Sequence, residues 1–344
     1  MKKKTTPKLC NQPPLVKRKF SPAVNPNRMK IILSTLLKWA NGTEIKFMFI
    51  EGDKAQQDVV RMAFKKWKSL GIGISFKEVT LVDESMVRIG FDYSDGSWSY
   101  VGRDILTIPK NERTMNFGWD LTADSYGMTT ALHEIGHTIG FQHEHQSPFA
   151  GITWNTQAVY KEFSGPPNNW SKKSIDSNIL NKLTTNEVKG TNWDPESIME
   201  YEFGPGLVLK PADYSKGIFP PGILSKNDID TVRNIYPPIK SSSAKTITPN
   251  KPIAIKVSSG GQMDFVFKAS VTRSYTFQTE GKLDTLMVVS EKGKDENHYM
   301  AGDDDSGLEK NAKIKLPLVK GREYLINIKV TYAPQSGKGT LTII

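Results

Sequence analysis

Residues 133–145 constrain the fold of this chain more than any other stretch. They read His-Glu-Ile-Gly-His-Thr-Ile-Gly-Phe-Gln-His-Glu-His and hold four of the five histidines in 344 residues. Residues four apart share one face of a helix, so His133 and His137 can direct two imidazoles at one ion. Gly140 permits the left-handed backbone with which a chain leaves a helix, and that break brings His143 round as a third ligand. The spacing predicts one zinc ion per chain.

Glu134 is predicted to be the proton carrier of this site. Neighbouring helix residues lie about 100° apart around the axis, so Glu134 lies beside the metal that His133 binds and not on it. Three protein ligands leave one coordination position for a water molecule, which zinc activates. From its position Glu134 can take the proton of that water and pass it to a leaving amine. The competing interpretation, a helix with incidental surface histidines, leaves Glu134 and Gly140 unexplained.

The two histidines outside the spacing are expected to play no part as ligands. His145 is interpreted as a structural residue near the site, and His298 as a surface residue. With so few histidines, a separate Ser-His-Asp site has no obvious base.

The net charge of +10 comes from one end of the chain. Residues 1–39 contain ten Lys or Arg and no Asp or Glu, whereas the rest contains 36 residues of each sign. Such a run is typical of a solvated, disordered arm; contact with an anionic surface, latency or export are the alternatives. No nucleic-acid motif accompanies the charge, so we expect no nucleic-acid partner.

Cys10 is the only cysteine, so no intrachain disulfide is expected. The run Lys2–Lys4 resembles the start of a secretory signal, but no apolar stretch or small-residue cleavage site follows it. No segment approaches the roughly 18 apolar residues that span a bilayer. We expect a monomer without a transmembrane segment. It would be secreted by a route without a classical signal peptide and would be cytoplasmic until export.

The periodicity predicts two folded domains, an α+β domain and an all-β sandwich. Residues 1–36 form a basic tail or pro-segment, 37–238 the α+β domain with a mixed twisted sheet, 239–250 a linker and 251–344 the sandwich. In the α+β domain we expect strands near 45–49, 72–79 and 87–91, and helices after Asp53, at about 125–138 and after Ser225. Frequent prolines between 146 and 224 predict an irregular lower half.

The expected sandwich strands are marked by period-two apolar residues. They contain Phe265 and Phe267, Tyr275 and Phe277, Ile314 and Leu316, Leu325 to Val330, and Leu341 with Ile343. The acidic run Asp303–Asp305 can supply oxygen ligands to Ca²⁺, although an exposed polar turn is the preferred interpretation.

The histidine motif, extended by Phe141 and Glu144, resembles the astacin family of the metzincin clan of zinc peptidases. Ser197-Ile198-Met199-Glu200-Tyr201 resembles the family's Met-turn, and Trp98-Ser99-Tyr100-Val101-Gly102-Arg103 resembles its edge strand. The C-terminal sandwich resembles the pre-peptidase C-terminal domains of bacterial secreted peptidases, on the segments 283–286, 301–307 and 320–321.

The resemblance implies a metzincin catalytic domain and a role for each matched residue. Met199 would form an apolar floor under the imidazoles, and Tyr201 would be an extra zinc ligand that supports the transition state. Trp98, Ser99 and Tyr100 would pair with extended substrate backbone. Glu144 would anchor a new N-terminus after processing. Glu200 replaces the family's usual histidine and should matter little if its side chain points away from zinc.

Cys10 raises a hypothesis of latency. A thiolate is a strong zinc ligand, so Cys10 can occupy the open metal position until the tail is cut. The alternative is an inert tail cysteine.

The leading functional prediction is an endopeptidase acting on proteins or peptides. The alternative is a catalytically silent zinc-binding module that acts as an adhesin or binding protein through the sandwich. Glu134 discriminates between them, because a silent module has no need of it.

Overall fold

The structure is a computed structural model that describes ten ranges of the chain. These are residues 8–14, 37–39, 41–183, 193–239, 244–256, 262–293, 297–303, 306–308, 311–332 and 338–344. The chain divides into two compact units, one of residues 1–19, 46–70 and 76–231 and the other of 20–45, 71–75 and 232–344. Of the predicted basic tail, only residues 8–14 belong to the described part. The domain boundaries at 36, 238 and 250 stay a prediction.

A five-stranded sheet leads up to the histidine motif. Its strands are β1 (Glu44–Phe49), β2 (Ser75–Glu78), β3 (Val87–Gly90), β4 (Trp98–Ser99) and β5 (Met115–Asn116). The order is β2-β1-β3-β5-β4. The β1–β3 and β3–β5 pairs are parallel and β4–β5 is antiparallel, so the predicted mixed sheet is confirmed. The strand β4 lies at one edge.

Helix α1 (Lys54–Ser69) supports the second helix, α2 (Tyr126–Thr138). Its start follows from Asp53, whose side chain accepts a hydrogen bond from the backbone N–H of Gln56, as an N-cap does. On its buried face, Trp67 donates an indole hydrogen bond to the carbonyl of Leu132 at 3.1 Å. Packing against α1 thus fixes the position of α2, which carries His133 and His137.

The lower half of the first unit is built from short pieces, as its prolines predict. The helices are α3 (Thr156–Phe163) and α4 (Lys172–Ile175), followed by a π-helical turn (Asp176–Leu180), and the strands are β6 (Thr153–Trp154) and β7 (Val208–Lys210). Short 3₁₀ segments span Val82–Glu84 and Gly102–Thr107 between strands of the five-stranded sheet. Two others, Glu144–Gln146 and Ala212–Tyr214, lie farther along the chain. The last helix, α5 (Lys226–Ile235), starts after Ser225 as expected.

The second unit contains the predicted sandwich. Its strands are β8 (Lys245–Thr246), β9 (Ile253–Ile255), β10 (Gln262–Lys268), β11 (Arg273–Gly281), β12 (Asp284–Glu291), β13 (His298–Asp303), β14 (Lys313–Leu318), β15 (Glu323–Tyr332) and β16 (Gly339–Ile343). They form sheets of order β13-β12-β15-β10-β8 and β14-β11-β16-β9. Side chains from both sheets share one buried core, which includes Phe265, Phe277 and Ile328. The α+β class with a β-sandwich is confirmed.

Two details of this unit concern the predicted linker and the predicted calcium ligands. The predicted linker contains β8, which pairs with β10 and therefore belongs to the sandwich. Asp303 accepts hydrogen bonds from the N–H and hydroxyl of Ser306 and from the N–H of Lys313, the contacts of an ordinary polar turn. Asp304 and Asp305 lie outside the described residues, and calcium binding stays a prediction.

Candidate active site

Helix α2 and the turn that ends it bring the three motif histidines together. Gly140 has φ +98°, which favours glycine, and its N–H donates to the carbonyl of His137 at 2.8 Å. The chain then doubles back, so that the Nε2 atoms of His137 and His143 lie 3.0 Å apart. His133, His137 and His143 are all buried.

The outer nitrogen of each ring is held by an oxygen acceptor. His133 Nδ1 lies 2.8 Å from the carbonyl of Ile198, and His137 Nδ1 lies 2.9 Å from the carbonyl of Phe141. His143 Nδ1 lies 3.3 Å from the amide oxygen of Gln146. Because an oxygen of this kind can only accept, each Nδ1 carries the proton and each Nε2 presents a lone pair to the centre.

These residues fit a zinc ion. Two lone pairs facing each other at 3.0 Å repel unless a cation lies between them, and tetrahedral zinc with nitrogen at about 2.0–2.1 Å requires a similar separation. The Nε2 atom of His133 is buried and has no hydrogen-bond partner among the described residues. Burial lowers the pKa of His133 to about 4 and holds the pKa of His137 and His143 well below the usual value. Neutral imidazoles are the form that binds metal.

Glu134 lies beside this centre with its carboxylate completely buried. Its Oε1 has no hydrogen-bond partner among the described residues, and its Oε2 accepts from the thiol of Cys10 at 3.5 Å. Burial raises the pKa of Glu134 to about 8. A buried carboxyl group with a pKa near neutrality can both take and release a proton.

The Met-turn, residues 197–201, packs against helix α2. A Cβ on Gly136 would lie 2.3 Å from the sulfur of Met199, so the glycine allows the sulfur to approach the helix. Asp228 of α5 anchors the turn, because its carboxylate accepts hydrogen bonds from the hydroxyl of Ser197 and the N–H of Ile198. The sequence predicted a helix after Ser225, but it gave no sign of this contact between Asp228 and the Met-turn.

Tyr201 lies over the histidine cluster. Its ring centroid is 4.3 Å from that of His143 and 5.8 Å from that of His133. Its hydroxyl donates to the carbonyl of Cys10 at 2.5 Å. The phenol thus contacts the N-terminal segment.

The side chain of Glu200 contacts three residues near the histidine cluster. Its carboxylate accepts hydrogen bonds from the indole of Trp193 at 2.6 Å and from the N–H of Tyr201 at 2.9 Å, and it lies 3.4 Å from His145. His145 is completely buried, with Nε2 2.8 Å from the carbonyl of Asn178. The rings of His145 and Tyr201 lie 4.6 Å apart between centroids, so His145 packs against Tyr201 while Glu200 binds its backbone.

Glu144 is only partly exposed and contacts the backbone of the lower half. Its carboxylate accepts from the N–H of Asp194 at 3.2 Å. Burial raises its pKa to about 8. The described residues therefore give this side chain a backbone partner, and its anchoring of a processed N-terminus stays a prediction.

Residues 8–14 differ from the expected solvated arm. Leu9 and Cys10 are 4% and 5% exposed. The N–H of Asn11 donates to the carbonyl of Ser97, next to β4, at 2.8 Å. The sulfur of Cys10 lies 3.7 Å from Nε2 of His137, and the ligand atoms of Cys10 and the three histidines all lie within 4.8 Å of one another.

Residues far away in the sequence hold this segment. Asn168 accepts from the N–H of Leu9, Tyr126 donates to the carbonyl of Lys8, and Asn178 donates to the side chain of Asn11. Sequence analysis missed all three, because each bond joins residues more than a hundred positions apart and no local pattern marks them. Of the expected substrate strand, Trp98 and Tyr100 line a cleft together with residues 11–14, while Ser99 is buried.

A cavity of about 210 Å³ opens beside His133 and Glu134. We call it the side cavity. Its walls come from the start of α2, from residues 197–202 and from residues 220–222, and Leu9 and Cys10 lie at its edge.

Comparisons with known proteins agree with this geometry. A family model described as Astacin, which is a peptidase family, matches residues 33–206. The chain is 29% identical over 191 residues to Bone morphogenetic protein 1 of Xenopus laevis, covering 54% of this chain and 22% of that protein. It is 26% identical over 175 residues to Zinc metalloproteinase nas-8 of Steinernema carpocapsae, covering 50% of this chain and 36% of that protein. It therefore spans about a fifth to a third of these relatives.

A solved structure of myroilysin aligns with 31% identity and a TM-score of 0.55, covering 60% of this chain and 99% of that chain. None of the described helices is long and apolar enough to cross a bilayer. The resemblance drawn from the edge strand, the histidine motif and the Met-turn is confirmed. Since the family model matches half of the chain, the chain belongs to the astacin family of zinc metalloendopeptidases.

Proposed function

We propose that this protein is a zinc-dependent endopeptidase that cleaves peptide bonds of proteins. One observation carries the proposal: three inward-facing Nε2 atoms lie next to a buried carboxylate, Glu134, that has an unpartnered oxygen among the described residues. A zinc ion held by His133, His137 and His143 would acidify water and polarise the substrate carbonyl.

The chain's own residues would do the remaining work. Glu134 takes a proton and delivers it to the leaving amine, because its buried carboxylate lies beside the histidines and keeps one oxygen without a partner among the described residues. The hydroxyl of Tyr201 can donate a hydrogen bond to the oxygen that gains charge in the transition state, as it now donates to a carbonyl of Cys10. Trp98, Ser99 and Tyr100 would align extended substrate along the edge of the sheet.

We also propose that Cys10 keeps the enzyme latent. Its sulfur lies 3.7 Å from Nε2 of His137, and a tetrahedral centre with sulfur and nitrogen ligands needs a separation of about 3.5 Å. The N–H of Asn11 binds the carbonyl of Ser97 next to β4, so the segment would also exclude substrate from the edge strand.

The catalytic proposal is tested by comparing wild type with Glu134→Ala, both measured for zinc content and for cleavage of a peptide library. We expect equal zinc and a loss of cleavage of at least about a hundredfold in the variant. A zinc-loaded wild type with its tail removed and no cleavage would contradict the proposal.

The latency proposal is tested with full-length Cys10→Ala. Its initial rate should exceed that of the uncut wild type, and the two rates should converge after the tail is removed. Equal initial rates would leave Cys10 as an inert residue.

The alternative, a silent zinc-binding module, gains no support from the site, because Glu134 is present with every ligand. The protein would act on protein or peptide substrates as a monomer outside the producing cell. The sandwich can assist by binding a glycan or protein.

A further inference from the structure

The side cavity is large enough to take a substrate side chain. Its volume of about 210 Å³ is several times the roughly 30 Å³ that a water molecule occupies in the liquid. It adjoins both His133 and Glu134, so a side chain inside it belongs to a residue next to the scissile bond.

The described residues that line the cavity include acidic groups and no lysine or arginine. Glu134 is reserved for proton transfer, and Glu200 accepts hydrogen bonds from Trp193 and Tyr201. The third acidic group is Glu202. Its side chain lines the cavity together with Tyr126, and after burial its carboxylate helps to raise the pKa of the Tyr126 hydroxyl. The field at this position therefore favours a cation.

Trp119 and Tyr126 also line the cavity, and we call this pair its aromatic rim. The rings of Trp119 and Tyr126 stack with centroids 6.1 Å apart. The ammonium of Lys8 lies over the Trp119 ring, 5.6 Å from its centroid, and the Tyr126 hydroxyl donates to the carbonyl of Lys8 at 2.6 Å. Tyr126 thus binds the backbone of Lys8 and Trp119 faces its ammonium group, so the rim already holds a lysine.

We propose that the side cavity selects a lysine or arginine side chain next to the scissile bond, and that Glu202 and Trp119 determine this specificity. The aliphatic stem packs on the aromatic rim and on Pro220 and Pro221, while the charged end is directed to Glu202. This inference rests on the proposed endopeptidase function.

The test uses the zinc-loaded chain after its tail has been removed, so that neither Cys10 nor Lys8 competes with substrate for the cleft. A peptide library is digested and the cleavage positions are read by mass spectrometry. We expect lysine and arginine to exceed aspartate and glutamate about tenfold at one position flanking the cleaved bond. Glu202→Gln should reduce this ratio to about threefold, Trp119→Leu should also reduce it, and Glu202→Lys should invert it.

The matched control is Glu196→Gln, because Glu196 is exposed and does not line the cavity. It should keep the wild-type ratio. Cleavage without basic preference, or a preference that survives Glu202→Gln, overturns the proposed specificity and leaves the endopeptidase proposal standing.

A binding measurement decides the specificity without catalysis. In the Glu134→Ala background, two peptides are compared that carry lysine or norleucine, which has a similar aliphatic stem without the ammonium. Lysine should bind about tenfold more tightly, and Glu202→Gln should remove the difference. Equal dissociation constants overturn the specificity even if no cleavage is detected, whereas absent cleavage by itself contradicts only the endopeptidase proposal.

Discussion

Buried carboxyl groups near the histidines play different roles because their partners differ. Asp228 accepts hydrogen bonds from the hydroxyl of Ser197 and from the N–H groups of Ile198 and Ser225, so its oxygens are committed to structure. Glu134 keeps one oxygen without a partner among the described residues, which suits proton transfer. At the scale of the residue, the hydrogen-bond partners of a buried carboxylate, and not its burial alone, distinguish a candidate proton carrier from a structural group.

Glu144 gives a prediction about pH. Its pKa rises to about 8, first through burial and then through nearby carboxylates, against 4.5 in the unfolded chain. A carboxyl group whose pKa is raised in the folded protein contributes its full stabilisation below pH 4.5. That contribution is lost as the pH rises towards 8, because the folded state then has to give up a proton that the unfolded chain has already lost. Each pKa unit corresponds to about 1.4 kcal/mol. Glu144→Gln should therefore equal wild type in stability near pH 4.5 and exceed it by up to a few kcal/mol at pH 8.

Denaturant unfolding at pH 5, 6.5 and 8 measures this difference, with chelator present throughout so that zinc release adds no pH dependence. Glu196→Gln is the control, since an exposed side chain should show no trend. A Glu144→Gln difference that is the same at every pH would contradict the prediction.

At the scale of the element, helix α2 and the Met-turn fit together through the absence of one side chain. Gly136 lies between the first two metal histidines, on a helix interior where glycine costs about 1 kcal/mol relative to alanine. That cost is accepted because a Cβ would lie 2.3 Å from the sulfur of Met199. The glycine inside the histidine motif is therefore a packing requirement.

Gly136→Ala should destabilise the protein despite its better helix propensity. Overpacking costs about 1–3 kcal/mol, which exceeds the gain of about 1 kcal/mol in propensity. Thermal unfolding measures the sum. In a double-mutant cycle, Met199→Ala should relieve part of the cost, because it removes the sulfur. Additive effects, or a more stable Gly136→Ala, would show that the contact does not limit the packing.

At the scale of the whole molecule, the metal centre belongs to one of two compact units. The histidines, Glu134, Met199, Tyr201 and the segment 8–14 all lie in the first unit, whereas β8–β16 lie in the second. Removing zinc should therefore act locally on α2 and the Met-turn.

Hydrogen exchange with and without chelator measures this effect. Zinc at a thousand times its dissociation constant stabilises the native state by about 4 kcal/mol. Exchange should speed up in α2 (Tyr126–Thr138) and in residues 197–201, and stay unchanged in β10–β16. Equal acceleration in both units would contradict a metal site confined to the first one.

The sequence by itself predicted the main elements and the candidate metal ligands, because both depend on local spacing. The period of four in His133 and His137, the break at Gly140, and the alternation in β10 and β11 are all set by backbone geometry within a few residues. The Met-turn and the edge strand were recognised in the same way, as short contiguous motifs.

Only the tertiary structure decided which distant groups meet around the site. It brought Cys10 to the histidines, Asp228 to the Met-turn and Glu200 to His145, and it revealed the side cavity beside Glu202. These contacts join segments tens to hundreds of residues apart, and burial and packing of the whole unit select them. No local period encodes such contacts, so the sequence raised the position of Cys10 only as a hypothesis and gave no sign of the side cavity.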